Sequence, residues 1–253
     1  MSHWVDENWK ALLSQIGFTV RDLWQNPSVQ SKPDGQPVTN VDYAVQDLIV
    51  TFLSKHYSAD LCVSEENLQT VDTTSSPRVW LVDPIDGTRS LIKGKPEFSV
   101  SIALIDHGRL TMAVVYNPIL DVIYWLEDGK SLYHQGRSRS RDSRPVVLTS
   151  HQHHKIIARQ LNDVTCYPVG SIAERMAMTA VGFADATIGL FDMHKWDVAA
   201  GTMLAESTGH IVTCRQGDQL DWGSDSMGVG GVVVAKPDLH QKILQAVGRI
   251  NNY

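Results

Sequence analysis

The chain has 253 residues, of which 43% are hydrophobic and 20% are charged, which suits one large or two small globular domains. Its 22 basic and 28 acidic side chains leave a net charge of −6, which argues against bulk binding of nucleic acid. Three cysteines without CxxC spacing argue against a disulfide framework. The sequence shows no secretory signal and no apolar run of ~20 residues, so we expect a cytoplasmic protein with no membrane span.

Hydrophobic spacing in the first half of the chain predicts two helices followed by strands. Apolar residues at helical intervals favour a helix over 3–25, whereas proline and glycine favour a loop over 31–39. Thr39 or Asn40 is typical of a helix N-cap and precedes a second amphipathic helix. Five strands are expected next, the last three as an antiparallel meander: 61–67, 78–87, 98–105, 110–117 and 121–127.

The second half of the chain alternates between helical and strand-like segments. They are a helix over 171–182, a strand over 184–191, a helix over 196–209, strands over 210–214 and 229–236, and a helix over 237–249. Such alternation after a mixed first half predicts an α/β fold, an α+β layered sandwich in two lobes that share one interface. We place the N-terminal lobe at 1–143 and the C-terminal lobe at 144–253.

The segment Asp83-Pro84-Ile85-Asp86-Gly87-Thr88 carries the strongest chemical signal. Its proline fixes φ and its glycine permits a tight turn, so both carboxylates should point the same way at the end of a strand. The N–H groups of a following helix would suit an anion there. Carboxylates beside an anion are stable when divalent cations lie between them, and Mg²⁺ prefers such oxygen ligands. A solvated polar turn is the alternative for this segment alone.

Three further acidic residues favour the metal site. Glu65 and Glu66 end another strand in the same half of the chain, and Asp197 begins a helix in the second half. Taken alone, Asp197 is typical of a helix cap and Asp42 of an exposed acid in a first helical turn. Their combination with the two aspartates above, rather than any one of them, indicates a metal site.

Together these segments resemble the inositol monophosphatase superfamily of Mg²⁺-dependent, lithium-sensitive phosphomonoesterases. The pair DPIDGT and WDVAAG carries the resemblance, which extends from PVTNVD at 37–42 to the closing strands. It implies the αβαβα fold shared with fructose-1,6-bisphosphatase, and two or three Mg²⁺ ions as cofactor. It further implies a small phosphorylated metabolite as ligand of a monomer or homodimer.

Matching positions in the family's motifs imply a role for each site residue. The implied metal ligands are Glu65, Asp83, the Ile85 carbonyl, Asp86 and Asp197, with Asp83 bridging two ions and Glu66 supporting them. The implied catalytic residues are Asp42, Thr88 and Glu65, of which Asp42 and Thr88 orient the attacking water. The implied substrate contacts are Gly87, Thr88, Ser171, Arg175 and Asp197. Because two metal ions can activate water and stabilise the leaving oxygen, we expect direct water attack with inversion at phosphorus.

Two features favour a nucleotide substrate over an inositol phosphate. The segments after DPIDGT and around GSIAERMAM (170–178) look most like bacterial 3′(2′),5′-bisphosphate nucleotidases. In the inositol branch an acid precedes the WD aspartate by seven residues, whereas this chain has Leu190, and a site without a partner for a hydroxyl selects poorly for it. Asp192 or His194 could replace that acid. We expect conversion of 3′-phosphoadenosine 5′-phosphate to AMP and phosphate; inositol-1-monophosphatase activity and a catalytically silent binding protein are the alternatives.

A second substrate phosphate would need cations. Candidates are Lys93, Lys95, Arg175 and Lys195, although Arg175 could equally be a solvated cation on a helix face. The histidines His151, His153 and His154 are typical of a surface turn rather than of a metal site. The arginine-rich segment 137–144 is interpreted as a solvated loop between the lobes rather than an arm for nucleic acid.

Overall fold

The computed structural model describes residues 6–67, 76–127, 129–133 and 144–248. Seven helices lie among these residues: α1 Glu7–Leu23, α2 Asn40–His56, α3 Thr88–Ile92, α4 His154–Gln160, α5 Ile172–Ala180, α6 Lys195–Ser207 and α7 Pro237–Val247. None of the helices in these ranges combines the length and the apolar character that crossing a membrane requires.

Two hairpin strands precede the main sheets and pair antiparallel: β1 Val29–Ser31 and β2 Pro37–Thr39. The sequence predicted a loop over 31–39, and this prediction is wrong for the strand residues. Gly35 has a φ of 82°, and its N–H bonds the Lys32 carbonyl at 2.9 Å. The breaker residues thus form the turn of a hairpin instead of interrupting regular structure.

The first main sheet has six strands in sequence order: β3 Leu61–Ser64, β4 Arg78–Asp86, β5 Ser99–Asp106, β6 Arg109–Asn117, β7 Val122–Glu127 and β8 Lys130–Tyr133. β3 and β4 are parallel, and every later neighbour is antiparallel, so the predicted meander is confirmed. The parallel pair brings the carboxyl ends of β3 and β4 to one edge, where both acidic segments lie.

The second main sheet has the strand order β10-β9-β11-β15-β13. β9, β10 and β11 are mutually parallel, and β15 runs against both of its neighbours. The strands of this sheet and of a small separate pair, β12–β14, are β9 Val146–Thr149, β10 Thr165–Pro168, β11 Ala186–Gly189, β12 Met193–His194, β13 Ile211–Thr213, β14 Gly228–Val229 and β15 Val232–Ala235.

Alternating side chains on β4 explain how the layers stack. Trp80 and Val82 pack with α1 and α2, whereas Val79 and Leu81 face the opposite core, which holds α5 and α6. Because both faces of the strand are covered, its sequence is continuously apolar rather than alternating. The second sheet closes the far side of α5 and α6, and α4 and α7 cover its outer face.

The resulting layer order is αβαβα, as the sequence analysis expected. The core between the two sheets combines residues from both halves of the chain. The boundary proposed at 143/144 falls beside residues outside the described ranges, as does the arginine-rich segment up to residue 143, so the two-lobe division stays a prediction.

Candidate active site

The DPIDGT segment forms the predicted strand-to-helix turn. β4 pairs with β5 up to Asp83, and its register then shifts before Asp86 pairs with Ser99. Gly87 has a φ of 99°, and α3 begins directly after it. A Cβ at position 87 would lie 2.9 Å from the Glu97 carbonyl oxygen, so both the backbone angle and the packing require glycine.

Three carboxylates converge at this turn. Glu65, Asp83 and Asp197 each offer an oxygen atom, and these atoms lie within 4.8 Å of one another. Glu65 follows β3 and is held beside β4, because its N–H bonds the Val82 carbonyl at 3.1 Å. Asp197 reaches the same point from the first turn of α6, where it accepts a 2.6 Å hydrogen bond from the His194 N–H. The structure therefore brings together acids from distant parts of the chain.

Burial and mutual repulsion make this cluster unfavourable without a cation. Asp83 is only 2% exposed, and burial raises its pKa well above the usual range, with further increases from Glu65, Asp86 and Asp197. Burial likewise raises the pKa of Asp197, reinforced by Asp86 and Glu65. An all-oxygen donor set with excess buried negative charge fits a hard divalent cation such as Mg²⁺.

Asp86 lies in the same turn as Asp83 and also fixes the helix that follows it in space, α5. Its Oδ2 accepts hydrogen bonds from the Ser171 hydroxyl at 2.6 Å and from the Ala173 N–H at 2.7 Å. Burial raises the pKa of Asp86 to about 6, although these two hydrogen bonds act in the opposite direction. Asp86 therefore couples the DPIDGT turn to the N-terminus of α5.

Thr88 and Asp42 form the contact that the resemblance implied. The Thr88 hydroxyl lies 3.1 Å from Asp42 Oδ1 and 3.1 Å from the Ile85 carbonyl oxygen. Thr39 donates two further hydrogen bonds to Asp42 Oδ2, from its N–H at 2.9 Å and its hydroxyl at 2.5 Å. Asp42 is buried, not an exposed first-turn acid, and burial raises its pKa. Its two oxygens are thus fixed between a helix cap and Thr88.

Lys32 is a site residue that the sequence analysis missed. Its ammonium, next to the hairpin turn, lies 2.7 Å from Glu65 Oε1 and 2.7 Å from Glu66 Oε1. Burial alone would lower the pKa of Lys32, but its hydrogen bonds and charge interactions with both glutamates outweigh burial and raise it. Lys32 therefore places a positive charge directly beside the carboxylate cluster.

A cavity of about 370 Å³ opens above the cluster. Its wall combines the acids Glu65, Asp83, Asp86, Asp192 and Asp197 with the basic residues Arg89, Lys93, Lys95, His151 and Arg175, and with Gly87 and Thr88. Two of the proposed phosphate cations, Lys93 and Lys95, thus lie where a second anionic group could reach them.

Arg175 lies in the cavity wall but is buried, so the solvated helix-face alternative is wrong. Its guanidinium donates to the carbonyls of Ser171 at 3.1 Å and Ile188 at 2.9 Å, and burial lowers its pKa to about 10. Lys195 is not part of this wall. As the first residue of α6 it is directed at the 224 loop, where its ammonium donates to the Ser224 carbonyl at 2.6 Å, so its assignment to a substrate phosphate is wrong.

Ser171, which was expected to contact the substrate, does not line the cavity and instead holds Asp86 and α5 in position. It caps α5 by accepting a hydrogen bond from the Glu174 N–H at 2.9 Å, while its hydroxyl donates to Asp86. Among the histidines of the HxHH segment, His151 pairs with Glu97 at the cavity rim, with 2.5 Å between Nε2 and Oε2, whereas His153 is buried. The surface-turn interpretation therefore holds for His151 but not for His153.

Leu190 is buried in the outer core of the second sheet. Asp192 lies close by, exposed at the cavity and 3.7 Å from the Arg215 guanidinium. His194 stacks on Trp196, with ring centroids 4.4 Å apart. Of the two possible replacements for the missing acid, only Asp192 lies in the cavity wall.

With this geometry established, comparison with known proteins decides the family. The model of the inositol monophosphatase family matches residues 5–252. This chain belongs to the inositol monophosphatase family. The resemblance inferred from the sequence is thereby confirmed, and family membership makes the chain a phosphatase of this superfamily.

Individual relatives differ in the substrate their names state. The chain is 34% identical over 204 residues to the 3′(2′),5′-bisphosphate nucleotidase CysQ of Escherichia coli, covering 77% of this chain and 82% of that protein. It is 30% identical over 240 residues to an inositol-1-monophosphatase of Mesorhizobium japonicum, covering 88% and 87%. The fold also matches a solved IMPase/NADP phosphatase with a TM-score of 0.83, at 20% identity and 98% and 97% coverage.

Proposed function

We propose that this chain is a Mg²⁺-dependent phosphomonoesterase that removes one phosphate from a 3′(2′),5′-bisphosphate nucleotide such as 3′-phosphoadenosine 5′-phosphate. The observation that carries the proposal is the cluster of Glu65, Asp83 and Asp197, of which Asp83 is buried, beside a cavity with basic residues in its wall. The cluster suits metal ions and one phosphate, and the basic residues suit another phosphate.

Five groups would hold the metal ions, two or three in number: Glu65, Asp83, the Ile85 carbonyl, Asp86 and Asp197. In such a site divalent cations would lower the pKa of a bound water and neutralise negative charge on the phosphate and leaving oxygens. The Ile85 carbonyl oxygen lies 3.1 Å from the Thr88 hydroxyl, and when Thr88 donates its single proton to Asp42 both lone pairs of this carbonyl are open to a cation.

Residues of the chain orient the reacting groups. The Thr88 hydroxyl donates to Asp42, which leaves the Thr88 oxygen able to accept a hydrogen bond from a water at the cavity surface. A water held in this way is positioned for in-line attack on a phosphate. The N–H groups of Gly87 and Thr88, at the start of α3, would bind phosphate oxygens.

The nucleotide substrate is supported by two features of the cavity. Leu190, at the position of the acid in the inositol branch, is buried in the outer core and supplies no acceptor to the cavity, whereas Lys93 and Lys95 lie in the wall with Arg89. Similarity to the bisphosphate nucleotidase of Escherichia coli agrees with this choice. Inositol-1-monophosphatase activity is the second candidate, because the exposed carboxylate of Asp192 lies in the same wall and could bind an inositol hydroxyl.

The proposed setting is a reducing compartment such as the cytoplasm. The three cysteines, Cys62, Cys166 and Cys214, are all unpaired. Unpaired, partly buried thiols suit a compartment in which disulfides do not form.

The proposal is tested by stripping the protein with EDTA and restoring Mg²⁺ in the presence of 3′-phosphoadenosine 5′-phosphate. We expect phosphate release only with Mg²⁺, AMP as the nucleotide product, and inhibition by Li⁺. Full activity in EDTA, or Mg²⁺-dependent binding of the nucleotide without any hydrolysis, would contradict it.

A further inference from the structure

Phe191 is an aromatic side chain exposed within the active-site cavity. It lines the same wall as Asp83 and Asp197, yet it is 44% exposed. A ligand that covered this ring inside the cavity would remove its apolar surface from water, which favours binding. Ile172 and Met193 also line the cavity, so Phe191 is not the sole apolar side chain in its wall.

The ring of Phe191 is supported from one side. It lies against His153, with ring centroids 3.9 Å apart and planes inclined by 45°. His153 is buried, and its ring Nδ1 lies 3.3 Å from the Ser150 hydroxyl, so the supporting ring is itself held in place. Burial, together with the Arg175 charge, lowers the pKa of His153, so the contact at neutral pH is between two uncharged rings.

The chain position of Phe191 is informative. It directly follows Leu190, at the point where β11 leads to the small strand before α6. Leu190, at the position of the acid in the inositol branch, is buried in the outer core, and the next residue, Phe191, lines the cavity. A planar heteroaromatic ring can stack on the face of the Phe191 ring, whereas an inositol ring has no π face to offer.

We propose that Phe191 is the platform on which the nucleobase of the substrate stacks, an assignment that rests on the proposed nucleotidase function. The metal cluster would hold the phosphate that leaves, and the base would extend along the wall to Phe191. Every nucleobase has a π face, so the platform selects for a base without specifying which base.

The test compares two ligands that differ only by the base: AMP and ribose 5-phosphate. Their dissociation constants are measured by calorimetry with Mg²⁺ for the wild type, Phe191→Ala and Phe191→Trp. Phe18→Ala is the matched control, because Phe18 is 72% exposed on α1 and does not line the cavity. Steady-state kinetics with 3′-phosphoadenosine 5′-phosphate separate KM from kcat.

We expect Phe191→Ala to weaken the binding of AMP at least about fivefold more than the binding of ribose 5-phosphate. In the kinetics, the variant should raise KM for the nucleotide and leave kcat nearly unchanged. Phe191→Trp should restore the preference for AMP, and Phe18→Ala should leave it as in the wild type. Equal weakening of both ligands, no weakening of either, or a wild type that does not prefer AMP would overturn the assignment.

The nucleotidase proposal and the platform fail in different ways. If the wild type hydrolyses 3′-phosphoadenosine 5′-phosphate but Phe191→Ala keeps the AMP preference, only the platform is wrong. If AMP binding depends on Phe191 but no phosphate is released, only the nucleotidase proposal is wrong.

Discussion

The Thr88 hydroxyl lies 3.1 Å from Asp42 Oδ1, joining the first turn of α3 to the first turn of α2. Asp42 can accept this bond in a fixed geometry because Thr39, the cap of α2, occupies its other oxygen. The contact joins residues from distant parts of the chain and places a hydroxyl of defined orientation at the cavity surface.

Removal of this hydroxyl tests its role in orienting water. We expect Thr88→Ala to lower kcat by about 100- to 10,000-fold, the range typical of a lost proton-transfer or water-positioning group. Thr88→Ser retains the hydroxyl and should keep most of the activity. Steady-state kinetics measure the loss of turnover, and calorimetry of Mg²⁺ binding shows whether metal binding has changed as well. A near-normal kcat in Thr88→Ala would contradict the assignment.

Asp83→Asn removes a charge from the centre of the carboxylate cluster. Turnover should fall by about 1,000-fold or more, since the cations contribute several kcal/mol to the transition state. In EDTA, however, the variant should melt at the same temperature as the wild type or higher, because burial and like charges disfavour the Asp83 carboxylate. Asp47→Asn on the exposed side of α2 is the control. A variant that keeps wild-type turnover would show that Asp83 holds no essential metal.

Glu174 should make stability depend on pH. Its side chain is buried, Oε1 accepts from Asn117 at 2.8 Å, Oε2 contacts no donor among the described residues, and burial raises its pKa to about 8. The folded protein then holds a proton that the unfolded chain releases above about pH 4.5, so this group's stabilisation declines as pH rises towards 8. The slope from one such group is about 1.4 kcal/mol per pH unit.

Glu174→Gln mimics the protonated acid and should remove this slope. Urea unfolding at pH 6 and pH 7, in saturating Mg²⁺ so that the cluster does not titrate, measures the difference. Glu7→Gln on the exposed first turn of α1 should leave the slope unchanged. Identical slopes in Glu174→Gln and the wild type would mean that Glu174 is already ionised in the folded protein.

Lys32 should weaken metal binding through its charge. Its ammonium shares Glu65 with the expected metal site, and two cations a few ångströms apart repel each other. We expect Lys32→Met to bind Mg²⁺ about 3- to 10-fold more tightly by calorimetry. Lys10→Met, which removes an exposed pair with Glu7, should bind Mg²⁺ like the wild type. Weaker binding by Lys32→Met would instead indicate that Lys32 holds Glu65 in position.

Local constraints made part of the site predictable from the sequence. The turn after Asp86 depends on Gly87 and its positive φ, and such constraints act within a few residues. The meeting of Glu65, Asp83 and Asp197 depends on α6 packing between two sheets, so the sequence supported it only through the family resemblance. Packing between segments that are distant in the chain produces no periodic pattern in the sequence from which it could be predicted.

Other errors also have physical causes. Lys32 was missed because Pro33, Asp34 and Gly35 were interpreted as a loop, although this composition is equally typical of a hairpin turn. The spacing of Ser171 and Glu174 fits a capping box, which could have assigned Ser171 to the end of α5. Lys195 was misplaced because the direction of a first-turn side chain is set by tertiary packing, here against Ser224.

Substrate preference in the presence of Mg²⁺ is the decisive measurement for the nucleotidase proposal. We would measure kcat/KM for 3′-phosphoadenosine 5′-phosphate, inositol 1-phosphate and fructose 1,6-bisphosphate. We predict a preference above ~100-fold for the nucleotide, about 2.7 kcal/mol of transition-state discrimination. A preference for inositol 1-phosphate would contradict it and would shift attention to Asp192 as the group that binds the sugar hydroxyl.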